Sequence, residues 1–174
     1  MRFLFRVVVS LGFAVAAGAS PLLWSLSGVT FVDGSTATGS FMFDADTSSY
    51  SSIDIVTSTG SIAGSTYLFT NPALPAVGSS ILAAFPTSSQ GIGTLELLLQ
   101  YVSALTDAGG TDALSFGAEG PCQDAACDVI NADRMVNAGE VTTNAVPEPS
   151  SVSLCLLGVV VLFIRRSVAG VVGR

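Results

Sequence analysis

Histidine and lysine are both absent from the 174 residues, and all positive charge comes from six arginines. Each absence removes chemistry. Without histidine there is no Ser-His-Asp or Cys-His catalysis and no ordinary zinc site. Without lysine there is no Schiff base and no lysine acid or base. A carboxylate pair of the kind that cleaves glycosides would be left to an enzyme. Glu96, Glu119 and Glu140 are available for it, yet their spacing pairs none of them. Gly91-Ile92-Gly93 lacks the strand, helix and acidic partner of a nucleotide site. No catalytic residue, metal or cofactor is implied.

Positive charge is also missing from the middle of the chain. Arg2, Arg6, Arg165, Arg166 and Arg174 sit at the two ends, so Arg134 alone faces twelve acids between Ser20 and Val146. Twelve acids against one base give that stretch a formal charge of −11, where the whole chain carries −7. Such a body repels nucleic acid and anionic membrane surfaces. It could attract divalent cations, but a solvated acidic surface is the plainer reading.

Long hydrophobic runs are scarce too, and the two that occur are short. Met1 to Arg6 is a basic lead-in, Val7 to Ala17 is apolar, and Ala17-Gly18-Ala19 offers a small-x-small cleavage pattern. This predicts a signal peptide over residues 1–19 cut between Ala19 and Ser20, since eleven apolar residues are too few to span a membrane. At the other end, Val152 to Ile164 is 13 residues, roughly 20 Å of helix against a hydrocarbon core of about 30 Å. Extending it to Val172 would immerse Arg165 and Arg166, at roughly 2.5–3.5 kcal/mol each. The segment therefore stops at Ile164 and leaves Ser167 to Arg174 on the cytoplasmic side. Just before it, the prolines of Val146-Pro147-Glu148-Pro149 forbid helix and hold the backbone extended and accessible.

Pro147-Glu148-Pro149, the short apolar helix and Arg165-Arg166 together resemble the PEP-CTERM sorting signal of exported bacterial proteins. Trp24-Ser25-Leu26-Ser27-Gly28-Val29-Thr30-Phe31-Val32-Asp33-Gly34, Gly39-Ser40-Phe41 and Phe43-Asp44 look like a pattern recurring in small proteins of that group. Cys122, Cys127, Arg134 and Gly139 are similar to its closing segment. The resemblance implies recognition by an exosortase-type membrane protease, after passage through the secretion translocon and signal peptidase. The body would leave the inner membrane for the cell surface or extracellular matrix. The same tail occurs on unrelated bodies, including some called ice-binding, so it implies no activity by itself.

Residues 20–145 then form the exported domain and residues 146–174 the sorting signal. The domain is rich in Ser, Thr and Gly with short apolar clusters, which predicts strands and turns. Leu23 to Phe31 reads as a strand with a bulge at Ser27-Gly28, and Asp33-Gly34 as a hairpin turn. Thr36 to Phe43 alternates, with Ala37, Gly39, Phe41 and Phe43 on the apolar face. Tyr50 to Thr57 buries Ile53 and Ile55 and completes a meander with one wet face. Weaker strands follow at Tyr67 to Phe69, Ile81 to Phe85 and Leu114 to Phe116. Thr94 to Val102 reads as the most buried strand of the second half, with Leu95, Leu97, Leu99 and Tyr101 on one face. Met135 to Thr143 closes the sheet after a kink at Gly139. Seven or eight such strands predict an antiparallel β-sandwich-like domain.

Cys122 and Cys127 are close in sequence, and outside the cytoplasm such a pair forms a disulfide. The spacing is not Cys-x-x-Cys, and soft ligands are too few for a metal. Cys155 reads as a small apolar residue of the lipid segment. Asp44-Ala45-Asp46-Thr47-Ser48 opens like a calcium loop but lacks the glycine and glutamate that an EF-hand needs at its sixth and twelfth positions. A hairpin turn capped by aspartate is the better reading. The expected function is a non-enzymatic surface or matrix-associated protein. A secreted carboxylate enzyme acting on extracellular polysaccharide, and a glycan- or ice-binding module, are the alternatives. The first would need two carboxyls across a cleft, the second a flat Thr- or aromatic-lined face.

Overall fold

A computed structural model describes residues 21–70 and 78–143. Ala19, Ser20, Pro147, Glu148, Pro149, Cys155, Arg165 and Arg166, and with them both targeting segments, lie outside the described residues. The chain divides into two units, Met1–Asn144 and Ala145–Arg174, and every described residue belongs to the first.

Among the described residues all regular structure is β. The strands are β1 (Leu22–Phe31), β2 (Thr36–Asp44), β3 (Ser49–Thr57), β4 (Thr66–Tyr67), β5 (Phe69–Thr70), β6 (Ile81–Phe85), β7 (Leu95–Tyr101), β8 (Gly110–Pro121) and β9 (Arg134–Thr143). They form one antiparallel sheet in the order β4-β3-β2-β1-β9-β8-β7-β6-β5. Its two edges, β4 and β5, are consecutive in the chain, joined through Leu68. Tyr67 pairs with Ile55 on one side, and Phe69 pairs with Phe85 on the other. The sheet thereby curls into a nearly closed, up-and-down barrel. The all-β expectation holds, but one curled sheet takes the place of the two stacked sheets of a sandwich. The closure is partial, since β4 pairs only with Ile55 and Val56 of β3, and β5 only with Ala84 and Phe85 of β6.

Local chemistry explains the elements that position the rest. Gly28 adopts φ 61° where the register of β1 shifts between Ser25 and Val29. That bulge lets Trp24, Val29 and Phe31 all point inward, each at most 2% exposed. The Asp33-Gly34 turn is tied by the Gly34 N–H donating to the Phe31 carbonyl at 3.0 Å. In β3 a second register shift, opposite Ser40–Met42, puts Tyr50 and Ile53 on the same interior side.

The interior is filled by side chains. Trp24, Phe31, Phe41, Phe43, Tyr50, Ile55, Tyr67, Leu82, Leu97, Leu99 and Tyr101 form one cluster. Phe41 meets Tyr50 edge-on at 5.4 Å between ring centres and Tyr101 nearly stacked at 6.3 Å. A second, smaller cluster of Ala83, Phe85, Cys122 and Cys127, with Leu98 against it, stands apart from the first. Ala83 and Phe85 alternate with Leu82 and Ala84 of the main core, so the small cluster lies on the outer face of the sheet.

Candidate functional site

Two buried glutamates mark the two faces. In the β7–β8 ladder Glu96 lies opposite Gly120 and Leu97 lies opposite Glu119. Directly opposed residues share a face and neighbours along a strand alternate, so Glu96 and Glu119 stand on opposite sides of the same sheet. Glu119 shares the face of Leu97 and points into the barrel, where it is 0% exposed. Glu96 points outward and is nonetheless only 2% exposed.

Glu119 is fully partnered. It sits across the β8–β9 ladder from Arg134, the body's single base. Arg134 Nε donates to Glu119 Oε2 at 2.9 Å, and Nη2 lies 2.8 Å from the same oxygen. The other oxygen, Oε1, accepts from the Tyr67 hydroxyl at 2.5 Å and from Thr57 Oγ1 at 3.1 Å. Arg134 Nη1 donates to Ser35 Oγ at 2.7 Å and to the Ser58 carbonyl at 2.8 Å, and the guanidinium lies 4.5 Å from the Phe31 ring centre. Asp33 stands 3.7 Å beyond. The Ser35 hydroxyl and the Ser61 and Ser35 backbone N–H groups hold its carboxyl far below the usual carboxylate range. Burial, and the Glu119 carboxylate that its hydroxyl serves, push Tyr67 well above the usual phenol range. One cation thus clasps the β1–β2 turn, the segment after β3, β8 and β9.

Glu96 has another kind of surroundings. After β8 the chain folds back over the outer face. Cys122 N–H donates to the Thr94 carbonyl at 2.8 Å, Gly93 N–H to the Cys122 carbonyl at 2.9 Å, and Gln123 N–H to the Val129 carbonyl at 2.8 Å. Gly120 makes the close crossing workable, because a Cβ there would strike the Asn131 carbonyl. Asp124 Oδ1 accepts from Ala126 N–H at 3.0 Å and Asp128 N–H at 3.1 Å, fixing the loop. Cys127 takes φ 58°, a left-handed conformation that L side chains rarely adopt. Cys122 and Cys127 stand at disulfide distance, Cα to Cα 4.9 Å, buried beneath this loop. Glu96 Oε2 lies 4.0 Å from Cys122 Sγ. Among the described residues no N–H or O–H group donates to the Glu96 carboxyl. Burial, with the negative charges of Asp124 and Asp128, pushes it up to about 7.

The remaining candidates fall into place simply. Asp44 Oδ1 accepts from the N–H groups of Asp46 at 3.0 Å and Thr47 at 3.2 Å, the aspartate-capped turn expected there. Glu140, opposite Ser27 and Ala113 on β9, is half-buried beside the inward Val141. Sequence reading named Arg134, Glu119 and Glu96 without connecting them. The Glu119–Arg134 register and the return of the 122–131 loop over Glu96 depend on long-range pairing that no local spacing announces. No family model, no curated protein and no solved structure matches this chain.

Proposed function

We propose that the chain is an exported, non-enzymatic β-barrel domain delivered to the cell surface or extracellular matrix by its C-terminal sorting signal. The observation that carries the reading is the two-ended arrangement. A cleavable-type leader runs through Ala19, and the Pro147-Glu148-Pro149 element stands before a 13-residue apolar segment and Arg165-Arg166. An apolar segment that short anchors poorly and must thin the bilayer or be held by a partner. An extended proline-bounded strand beside it suits binding by a membrane protease of the exosortase type. The Cys122–Cys127 pair suits an oxidising compartment, and the acidic body suits solubility there.

The interior filled with aromatic and aliphatic side chains favours a scaffold over an enzyme. Glu96 and Glu119, on opposite faces of one sheet, do not form the facing pair that glycoside chemistry requires. Extracellular polysaccharide remains the partner class that an exported matrix domain would meet.

Fractionation of producing cells tests the reading. Glu148→Ala, or moving the two arginines, should trap full-length protein in the inner membrane while the unsubstituted chain loses its tail and leaves. Intact, unsubstituted protein carrying Ser167 to Arg174 stably at the cell surface would show a plain anchor in place of a sorting signal.

A further inference from the structure

The buried cluster under the 122–131 loop holds more than a covalent staple needs. Cys122 Sγ, Cys127 Sγ and a Glu96 carboxylate oxygen all lie within 4.8 Å of one another, and all three residues are buried. The Gly91 carbonyl stands 3.9 Å from Cys127 Sγ. A disulfide offers a carboxylate nothing, since it has neither a proton to donate nor a charge. Burying Glu96 against one without a donor is costly and contributes nothing to the staple. Two thiolates and a carboxylate, by contrast, make the donor set of a tetrahedral divalent-metal site. While bonded to each other the two sulfurs are too close to share one ion. Once reduced they must part to about 3.8 Å, the separation that metal–sulfur bonds of about 2.3 Å set at a tetrahedral angle, with the Glu96 oxygen beside them as third ligand. Asp124 and Asp128 on the same loop add negative potential that favours a dication.

We infer that Cys122, Cys127 and Glu96, once the cysteine pair is reduced, form a binding site for one thiophilic divalent cation of the zinc class. Disulfide formation abolishes the site. A dithiol reductant delivers two electrons and two protons to the Cys122–Cys127 bond and leaves as its own disulfide. The cation then displaces the two thiol protons to solvent, and Glu96 binds as carboxylate. Gly91 carbonyl or a water completes four-coordination. Opening also lets Cys127 leave its left-handed backbone conformation. The two covalent states of one loop would therefore be alternatives, a closed staple or a metal clasp. The inference stands on the loop alone and is independent of where the protein is sorted.

Cobalt(II) titration of the full chain in detergent tests it, in a Cys155→Ser background so that no third thiol contributes. After phosphine reduction, one equivalent of cobalt should give the thiolate charge-transfer and tetrahedral ligand-field bands, and zinc should bleach them. The oxidised chain and Cys122→Ser/Cys127→Ser should give neither band. Reduced Glu96→Gln should bind about 10- to 100-fold more weakly, the loss that even outer-shell partners of a metal site cause. Absence of the bands in the reduced chain overturns the inference. So does equal affinity in Glu96→Gln, because a floppy dithiol loop would bind without regard to residue 96.

Discussion

Glu119 and Glu96 sit on adjacent strands, both almost completely buried, and differ in everything that burial makes important. Glu119, inside the barrel, meets a guanidinium, a phenol and a threonine hydroxyl. Glu96, on the outside under a loop, lies beside two sulfurs and in the field of two further acids. Burial of a charge is costly in either place, and among the described residues only the first site supplies donors that offset it. The comparison separates a charge that organises the fold from one the fold tolerates. Tolerated charges are where a ligand or a change of state is to be sought.

The largest expected effect breaks the first half of that contrast. Arg134→Met leaves Glu119 buried without its cation and removes the guanidinium bridge between Ser35 and the Ser58 carbonyl. It should lower unfolding free energy by about 3–5 kcal/mol, the usual consequence of removing one partner of a buried pair. Urea denaturation followed by circular dichroism measures it. Tyr67→Phe removes a hydrogen bond to a charged acceptor and should cost about 1.5–3 kcal/mol by the same assay. Cys122→Ser/Cys127→Ser acts on the other side. The short loop it opens is worth about 2 kcal/mol on the chain-entropy account, and reducing agent should lower wild-type stability by a similar amount while leaving the double variant unchanged.

A pH-dependent effect sharpens the contrast and has a definite sign. With the disulfide closed and no metal present, burial first, then Asp124 and Asp128, raise Glu96 to about 7 from its ordinary 4.5. The folded protein therefore binds a proton that the unfolded chain releases at lower pH. The stability this contributes is complete below about 4.5 and is lost as pH rises towards 7. Glu96→Gln should remove that part of the pH dependence and leave the rest of the profile in place. Urea midpoints of the two proteins at intervals across this range provide the check.

How far the sequence foretells these features depends on whether the signal is local. The Ser27-Gly28 bulge, the Asp33-Gly34 turn and the bounds of β6 follow from neighbouring residues and agree with the structure. Leu97, Leu99 and Tyr101 lie inward as their alternation requires. By contrast β8 reads from sequence as Leu114 to Phe116 only, yet runs from Gly110 to Pro121. Its Gly110, Asp112, Gly117, Gly120 and Pro121 are poor strand formers, held in place by ladders to β7 on one side and β9 on the other. Closure into a barrel instead of a sandwich rests on residues 66–70 finding partners on both flanks, which is a property of the whole sheet. The two glutamate environments are just as non-local. Arg134 reaches Glu119 across fifteen residues, and Cys122 reaches Glu96 across twenty-six.

Side-by-side urea unfolding of Glu119→Gln and Glu96→Gln at pH 8, disulfide intact, is the most direct test of that asymmetry. Glu119→Gln strands Arg134 in the core and should lower the midpoint sharply, whereas Glu96→Gln removes a carboxylate that no N–H or O–H of the described residues serves and should leave the midpoint unchanged or raise it. Equal losses from the two substitutions, or a larger loss from Glu96→Gln, would contradict the account.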